Sequence, residues 1–182
     1  MNKHSNQSIP EMIDQFSGEP NYSDPVADDF QALSRDTVPV RSLTEDDLGS
    51  LVRIDRRITG IDRTNYYRRK VNEAINGSGV RMSVVAEMQG EIAGFLMARV
   101  DYGEFGRTAA EAVIDTLGVD PAYKGQGVGQ AMLSQLLINL SSLRVESVRT
   151  EVEWNNFGLL AFLNHCGFKP SQRLAFVRRG KG

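Results

Sequence analysis

The chain has 182 residues with 21 basic and 23 acidic side chains, the length of one ordinary domain with some excess, and this even balance gives no broad positive field for nucleic acid. A hydrophobic fraction of 41% suffices for a full core, while no run reaches the roughly 18 apolar residues of a bilayer span, so a soluble protein without membrane association is expected. The N-terminal MNKHSNQSIPEM lacks the apolar stretch of a signal peptide and Cys166 is the only cysteine, which excludes an internal disulfide, fits a reducing cytoplasm and leaves a homodimer open.

Residues 1 to 37 are polar, hold Pro10, Pro20 and Pro25, and show neither helical nor strand periodicity, which predicts a tail. Glu11, Asp14, Glu19, Asp24, Asp28, Asp29 and Asp36 outnumber Lys3 and Arg35 there, which predicts a solvated segment, with Phe16, Tyr22 and Phe30 able to anchor it on a neighbour. From Val38 the texture changes. VPVRSL reads as a short strand, and Thr44 with Asp47 three residues on reads as an N-cap before Leu48, Leu51 and Val52. A second helix is predicted over Asp62 to Ile75, stopping at NGSG (76–79). RMSVVAEM and EIAGFLMARV then form a hairpin that turns at Gln89 and Gly90. AAEAVIDTLGV (109–119) is a third strand signal, and Leu133, Leu136, Leu137 and Leu140 follow at helical spacing. A strand VRTEVEW (148–154), a helix across LLAFLNHC and a last strand near RLAFVRR complete a mixed α/β chain without internal repeat, one domain over 38–182.

Between the third strand and the helix stands YKGQGVGQAML (123–133), with Gly125, Gly127 and Gly129 at every second position. Glycine costs about 1 kcal/mol relative to alanine in a helix interior, so these residues serve a turn from a strand end into a helix N-terminus. Such a place traps anions: the first helical N–H groups point outward unpaired, the macrodipole adds about half a positive charge, and a missing Cβ lets a phosphate approach. A Rossmann fingerprint would need glycine at Gln130, and a P-loop would need a Gly-Lys-Ser/Thr end that is absent. The plain alternative is a tight turn that only packs helix on strand.

The surrounding LGVDPAYKGQGVGQAML resembles the acyl-coenzyme A signature of the GNAT N-acetyltransferase superfamily, Arg/Gln-x-x-Gly-x-Gly/Ala. Lys124 stands at the Arg/Gln position, Gly127 and Gly129 at the small positions, and Val119, Asp120 and Pro121 match the strand exit before the motif. WNNFGLLAFLNHCGF is similar to the family's Asn-containing loop, helix and terminal Gly-Phe, so the resemblance spans roughly 38 to 180. It implies a central mixed, mostly antiparallel sheet with splayed parallel strands, flanked by helices, and acetyl-CoA as cosubstrate. Backbone groups of Leu117, Gly118 and Val119 would pair with the pantetheine amides, and the N–H groups of Gly125, Gln126, Gly127, Val128, Gly129 and Gln130 would hold the pyrophosphate. Lys124 would supply charge, and Asn156 matches the family's cofactor asparagine.

The implied chemistry is direct attack of a primary amine, of a small molecule or a protein, on the thioester. It needs a base to take the ammonium proton and an oxyanion donor, which a backbone N–H of the splayed strand would supply. Glu111 sits thirteen residues before Lys124, at the spacing where histone-acetylating members carry their base, and alternation puts Asp115 on its face. Glu151 sits five residues before Asn156, at the spacing of the ribosomal-protein-acetylating members. Both remain candidates, with Glu151 favoured. For Asp115 and Glu153 a solvated strand carboxylate paired with an arginine is the better reading. Where many relatives carry a tyrosine acid, seven residues after Asn156, this chain has Leu163. Tyr123 or another tyrosine then takes that part, or the thiolate leaves unaided. That departure also admits an acyl-CoA-binding sensor module with little turnover.

Cys166 before Gly167 and Phe168 reads as a buried structural thiol, and with only His4 and His165 no ordinary zinc site is expected. In RIDRRITGIDRTNYYRRK (53–70), Arg53, Arg56, Arg57, Arg63, Arg68, Arg69 and Lys70 can receive an acidic acceptor. A solvated helix face paired with Asp55 and Asp62 accounts for them equally well.

Overall fold

The computed structural model describes residues 37–77, 82–102, 109–171 and 178. The expected tail up to residue 36 and the expected last strand near 173–179, apart from residue 178, lie outside them. The chain divides into two compact units, residues 1–150 and residues 151–182.

The first unit carries the sheet. Strand β1 (Val40–Ser42) leads through a 3-10 turn (Glu45–Asp47) into helix α1 (Leu48–Thr59) and helix α2 (Thr64–Asn76). The expected cap is formed: Asp47 Oδ2 accepts the Thr44 N–H at 2.8 Å and the Thr44 hydroxyl at 3.0 Å. Arg41 adds two hydrogen bonds of 2.8 Å to the same carboxylate. Burial pushes the Asp47 carboxyl up, but Arg41 and the Thr44 donors outweigh it and hold the group below its ordinary value. Helix α1 stops at Gly60, whose φ of 74° only glycine adopts freely and whose N–H returns to the Arg56 carbonyl at 2.8 Å.

Strands β2 (Val84–Met88) and β3 (Glu91–Tyr102) form the predicted hairpin, turning where Gln89 and Gly90 both have positive φ (55° and 80°) as a type I′ turn requires. Strand β4 (Ala110–Val119) pairs antiparallel with β3, and β5 (Ser147–Thr150) pairs parallel with β4, giving the sheet order β1-β2-β3-β4-β5. Leu51, Ile54, Tyr67 and Val71 of the first two helices bury one sheet face together with Val85, Phe95 and Met97. Tyr67 meets Phe95 edge to face with ring centroids 5.6 Å apart. Helix α3 (Val128–Ser142), carrying the predicted leucines, covers the opposite face: a Cβ on Gly94 of β3 would stand 2.8 Å from Val128 Cγ1 and 2.9 Å from Met132 Cε.

Beside a register shift of β2 against β3 between Ala86 and Glu87, β4 and β5 each depart from the expected strands. The β3–β4 register slips between Met97 and Ala98, which pair with Thr116 and Ile114, so Asp115 is the extra residue of a bulge. The strand expected over 148–154 is shorter: pairing with β4 ends at Ile114↔Thr150, where the Thr150 hydroxyl donates to the Ile114 carbonyl at 3.1 Å. Glu151 and Glu153 thus lie beyond the strand rather than on it, and the Glu153 carbonyl accepts the Asn156 N–H at 2.9 Å in the turn that follows. Strand β4 itself runs on to Val119 past its last β5 partner.

In the second unit, helix α4 (Phe157–His165) starts at Asn156, whose Oδ1 accepts the Leu159 N–H at 3.2 Å. It ends at Gly167, with φ 85°, and the Phe168 N–H donates to the Leu163 carbonyl at 3.0 Å.

Candidate acyl-coenzyme A site

The end of β4, the glycine turn and the start of α3 form one continuous piece of backbone in the first unit. Asp120 closes β4: its N–H donates to the Ala93 carbonyl at 2.8 Å, and its Oδ1 accepts the Ala122 N–H at 3.1 Å to open a 3-10 turn over Pro121–Tyr123. Proline at the first position of that turn gives up a donor that would be unpaired anyway. Gly125 and Gly127 both have φ 80°, and a Cβ on either would meet nothing within 4 Å. Open space lies over these two alpha carbons, so their conformation alone demands glycine.

Gly127 is the N-cap of α3, with no side chain capping the helix. The first intrahelical bond runs from the Ala131 N–H to the Gly127 carbonyl at 2.9 Å. The N–H groups of Val128, Gly129 and Gln130 precede it and have no place in the helical ladder, the arrangement that receives a phosphate. Lys124 is exposed beside this turn. Gly118, read from the sequence for its backbone, also has a packing reason: a Cβ there would stand 2.6 Å from Phe95 Cε1.

Beyond Ile114 the β4 edge has no β5 partner, so Leu117 and Val119, both half-buried, belong to a strand stretch whose outer side can pair with an extended ligand. At the bulge, Asp115 is exposed as a residue although its side chain is only 20% exposed, so the open part is backbone. Next to it, Thr116 Oγ1 is buried without a hydrogen-bond partner among the described residues, a group that a bound polar ligand would satisfy. The turn, the uncapped helix start and the open strand edge together fit a diphosphate joined to an amide-bearing chain.

Glu111 lies further back on β4, directly opposite Asp101 of β3, and accepts a hydrogen bond from Arg149 Nε at 3.0 Å. Arg149 also reaches Asp101 at 3.2 Å, and Arg99 pairs with Asp101 at 3.0 Å and with Asp115. Asp115 is held further by Lys70 at 3.4 Å. Glu111 and Asp115 therefore share a face, as alternation predicts, but inside an ion-pair network that includes Asp101, which sequence reasoning passed over. The arginine-paired reading of Asp115 holds. Arg149, Arg99 and Lys70 come from three other elements, and no local pattern marks such pairings.

Glu151, exposed, and Asn156 belong to the second unit. Asn156 has a structural duty as the cap of α4. Leu163 is buried at 7% exposure in that helix and offers no proton to a leaving group. Cys166 is half-buried rather than fully buried, and burial pushes its thiol up to about 11, which keeps it protonated and unreactive near neutral pH.

Among the basic residues of 53–70, Arg63 pairs with the buried Asp55 as the plain reading expects. Asp62 instead accepts from the Thr64 N–H and hydroxyl. Arg53 pairs with Glu91 at 2.9 Å and Arg57 with Asp120 at 2.6 Å. The Arg57–Asp120 pair escaped sequence reading. Asp before Pro marks a turn start, which was legible, but its partner on α1 was not. Among the described residues no group of three or more His, Cys, Asp or Glu is placed to hold a metal ion, and no helix is long and apolar enough to cross a membrane.

Comparison with known proteins agrees with this geometry. The N-alpha-acetyltransferase RimI of Mycobacterium tuberculosis is 37% identical over 47% of this chain and 51% of its own. A mycothiol acetyltransferase of Propionibacterium freudenreichii is 33% identical over 47% of this chain and 26% of its own, so the chain spans about half the length of the first relative and less of the second. The fold is that of AAC(6')-Iy, solved with a bisubstrate analog (TM-score 0.67, 14% identity, 79% of this chain and 99% of that one). It is likewise that of the ribosomal-protein-S18-alanine N-acetyltransferase of Escherichia coli (TM-score 0.61, 22% identity, 74% of this chain and 79% of that one). Residues 49–168 match the Acetyltransferase (GNAT) family, and the chain belongs to that family.

Proposed function

We propose that this protein is an acetyl-CoA-dependent N-acetyltransferase acting on a primary amine of a small molecule or a protein, with residues 38–182 as its catalytic domain. The observation that carries the reading is the open left-handed turn at Gly125 and Gly127, set on the uncapped N-terminus of α3 at the end of the β4 stretch that continues past its last β5 partner. In this reading the N–H groups of Gly125 and of Gly127 to Gln130 hold the pyrophosphate, with Lys124 adding charge, while the Gln126 N–H is engaged by the Tyr123 carbonyl at 3.3 Å. Leu117, Gly118 and Val119 orient the pantetheine arm through backbone bonds. Asn156 keeps the role its motif position suggests.

The amine nitrogen attacks the thioester carbonyl carbon. A backbone N–H at the bulged stretch of β4 stabilises the oxyanion, and the C–S bond then breaks with departure of the coenzyme A thiolate, which takes up the proton that the attacking nitrogen gives up as it becomes the amide. A carboxylate, Glu151 by preference and Glu111 otherwise, takes the ammonium proton before attack. The name of the N-alpha-acetyltransferase relative favours an N-terminal alpha-amine as acceptor.

A second reading, an acyl-CoA-binding module with little turnover, draws on the buried Leu163. Release of free thiol from acetyl-CoA, followed against a panel of amines and N-terminal peptides, separates the two. Amine-dependent release establishes transfer, and tight acetyl-CoA binding with no release across the panel establishes the module.

A further inference from the structure

We propose that Arg57 and Asp120 act as positioning residues for the glycine turn, an inference that rests on that turn being the pyrophosphate seat. The Asp120 side chain is 1% exposed and its two oxygens are used by different elements. Oδ1 accepts the Ala122 N–H at 3.1 Å within the turn, and Oδ2 accepts Arg57 of α1 at 2.6 Å across 63 residues of sequence. Its backbone N–H is meanwhile fixed to Ala93 of β3 at 2.8 Å. One residue thus joins the central sheet, the first helix and the start of the turn.

Capping alone does not require this arrangement. Asparagine or serine opens such a turn about as well as aspartate and needs no counter-charge. A buried carboxylate is costly unless paired, so its presence here marks a need for its second oxygen. Within the turn itself the Tyr123 N–H donates to the Asp120 carbonyl at 2.9 Å and Gln126 Nε2 to the Ala122 carbonyl at 3.2 Å, but neither ties the turn to another element. The Lys124 N–H reaches the Pro121 carbonyl at 3.4 Å and the Gln126 N–H reaches the Tyr123 carbonyl at 3.3 Å, both long, and two glycines at φ 80° leave the backbone free to move. Without the bridge from α1, the N–H groups that face the phosphates would have to be ordered when the ligand binds, which weakens binding. The effect belongs to cofactor affinity, because neither residue lies among those that meet the thioester.

The test is acetyl-CoA affinity by calorimetry, read beside the melting temperature. Arg57→Ala should weaken binding about 10-fold, and Arg57→Lys should restore it to within about 3-fold, since the charge returns without the fixed fork. The double variant Arg57→Ala with Asp120→Asn has no lone buried charge, and its loss should match that of Arg57→Ala. Arg63→Ala, which breaks the other buried aspartate pair of these helices, should lower the melting temperature and leave affinity unchanged. Equal losses of affinity in Arg63→Ala and Arg57→Ala would mean general destabilisation and overturn the proposal. Parental affinity in Arg57→Ala overturns it as well, and Gly127→Ala shows where the fault lies. If Gly127→Ala binds weakly, the pyrophosphate seat stands and only the positioning role is lost; if it too binds like the parent, the seat itself is misassigned.

Discussion

Gly127 and Gly118 lie nine residues apart in the same segment and should respond to alanine in opposite ways. At Gly127 the added Cβ meets nothing within 4 Å, so the fold bears only the left-handed backbone, φ 80°, at about 1–2 kcal/mol. For a domain of this size that is a fall in melting temperature of roughly 2–8 °C. The methyl group would, however, occupy the space through which a phosphate reaches the N–H groups of Val128, Gly129 and Gln130. Losing one charge-assisted hydrogen bond weakens binding about 10-fold to 100-fold. At Gly118 the Cβ would stand 2.6 Å from Phe95 Cε1 and 2.7 Å from Cζ, inside the core under Tyr67. The Phe95 ring must move, at about 1–3 kcal/mol of overpacking, with a secondary effect on the ligand. Calorimetry with acetyl-CoA and thermal unfolding on the two variants distinguish these cases. Unchanged affinity in Gly127→Ala, or a larger affinity loss in Gly118→Ala than in Gly127→Ala, would refute the reasoning that places the phosphates at the turn.

Glu151→Gln should lower turnover about 100-fold to 10,000-fold with little change in acetyl-CoA affinity and partial rescue at high pH, whereas Glu111→Gln should do less; steady-state rates with a responsive amine decide, and the reverse order moves the base to β4. The folded Asp47 carboxyl titrates below its unfolded value of about 3.9, so its contribution is complete above that pH and is lost as the pH falls through the folded value. Asp47→Asn should therefore cost about 1 kcal/mol near neutrality and flatten the acid limb of the stability curve measured by urea unfolding. Cys166, with its thiol up at about 11, should react with iodoacetamide at pH 8 at least about 10-fold more slowly in the native protein than in urea, and Cys166→Ala should keep full activity. Thr116→Val removes a buried hydroxyl without a partner among the described residues, so the melting temperature should hold or rise while acetyl-CoA affinity, read by calorimetry, falls.

What the sequence made legible is what depends on near neighbours along the chain. The hairpin at Gln89 and Gly90, the Thr44–Asp47 cap, the α3 leucines and the turn at Gly125 and Gly127 each have a signature a few residues long, and each stands where it was expected. The end of β5 was not legible, because VRTEVEW keeps its alternation through Glu153 while its partner strand is lost after Ile114. The bulge at Asp115 was equally hidden: a slip of register is a property of the pair β3–β4, and AAEAVIDTLGV alone does not mark which residue goes unpaired. The ion pairs at Glu111, Asp115 and Asp120 join positions 16 to 63 residues apart, which no window along the chain can see.

These long-range pairs alter the meaning of the basic segment 53–70. Arg53 reaches Glu91 and the Ile92 carbonyl at the start of β3, Arg57 reaches Asp120 at the end of β4, and Lys70 reaches Asp115 at the bulge. Three cations of the two helices are thus bound to three points of the sheet, and Arg63 is bound between the helices themselves. The choice of Asp115 has a physical consequence. A bulge residue is unpaired by the ladder and free to slip into register, which would turn every following side chain of β4 to the other face. Lys70 from one side and Arg99 from the other hold its carboxylate in place, so the register of Thr116 to Val119, and with it the backbone that would meet the thioester, is set by charge as well as by packing. An acidic acceptor drawn to this segment would compete with those pairs at Lys70, and would find its cheaper cations at the exposed Arg56 and Arg69.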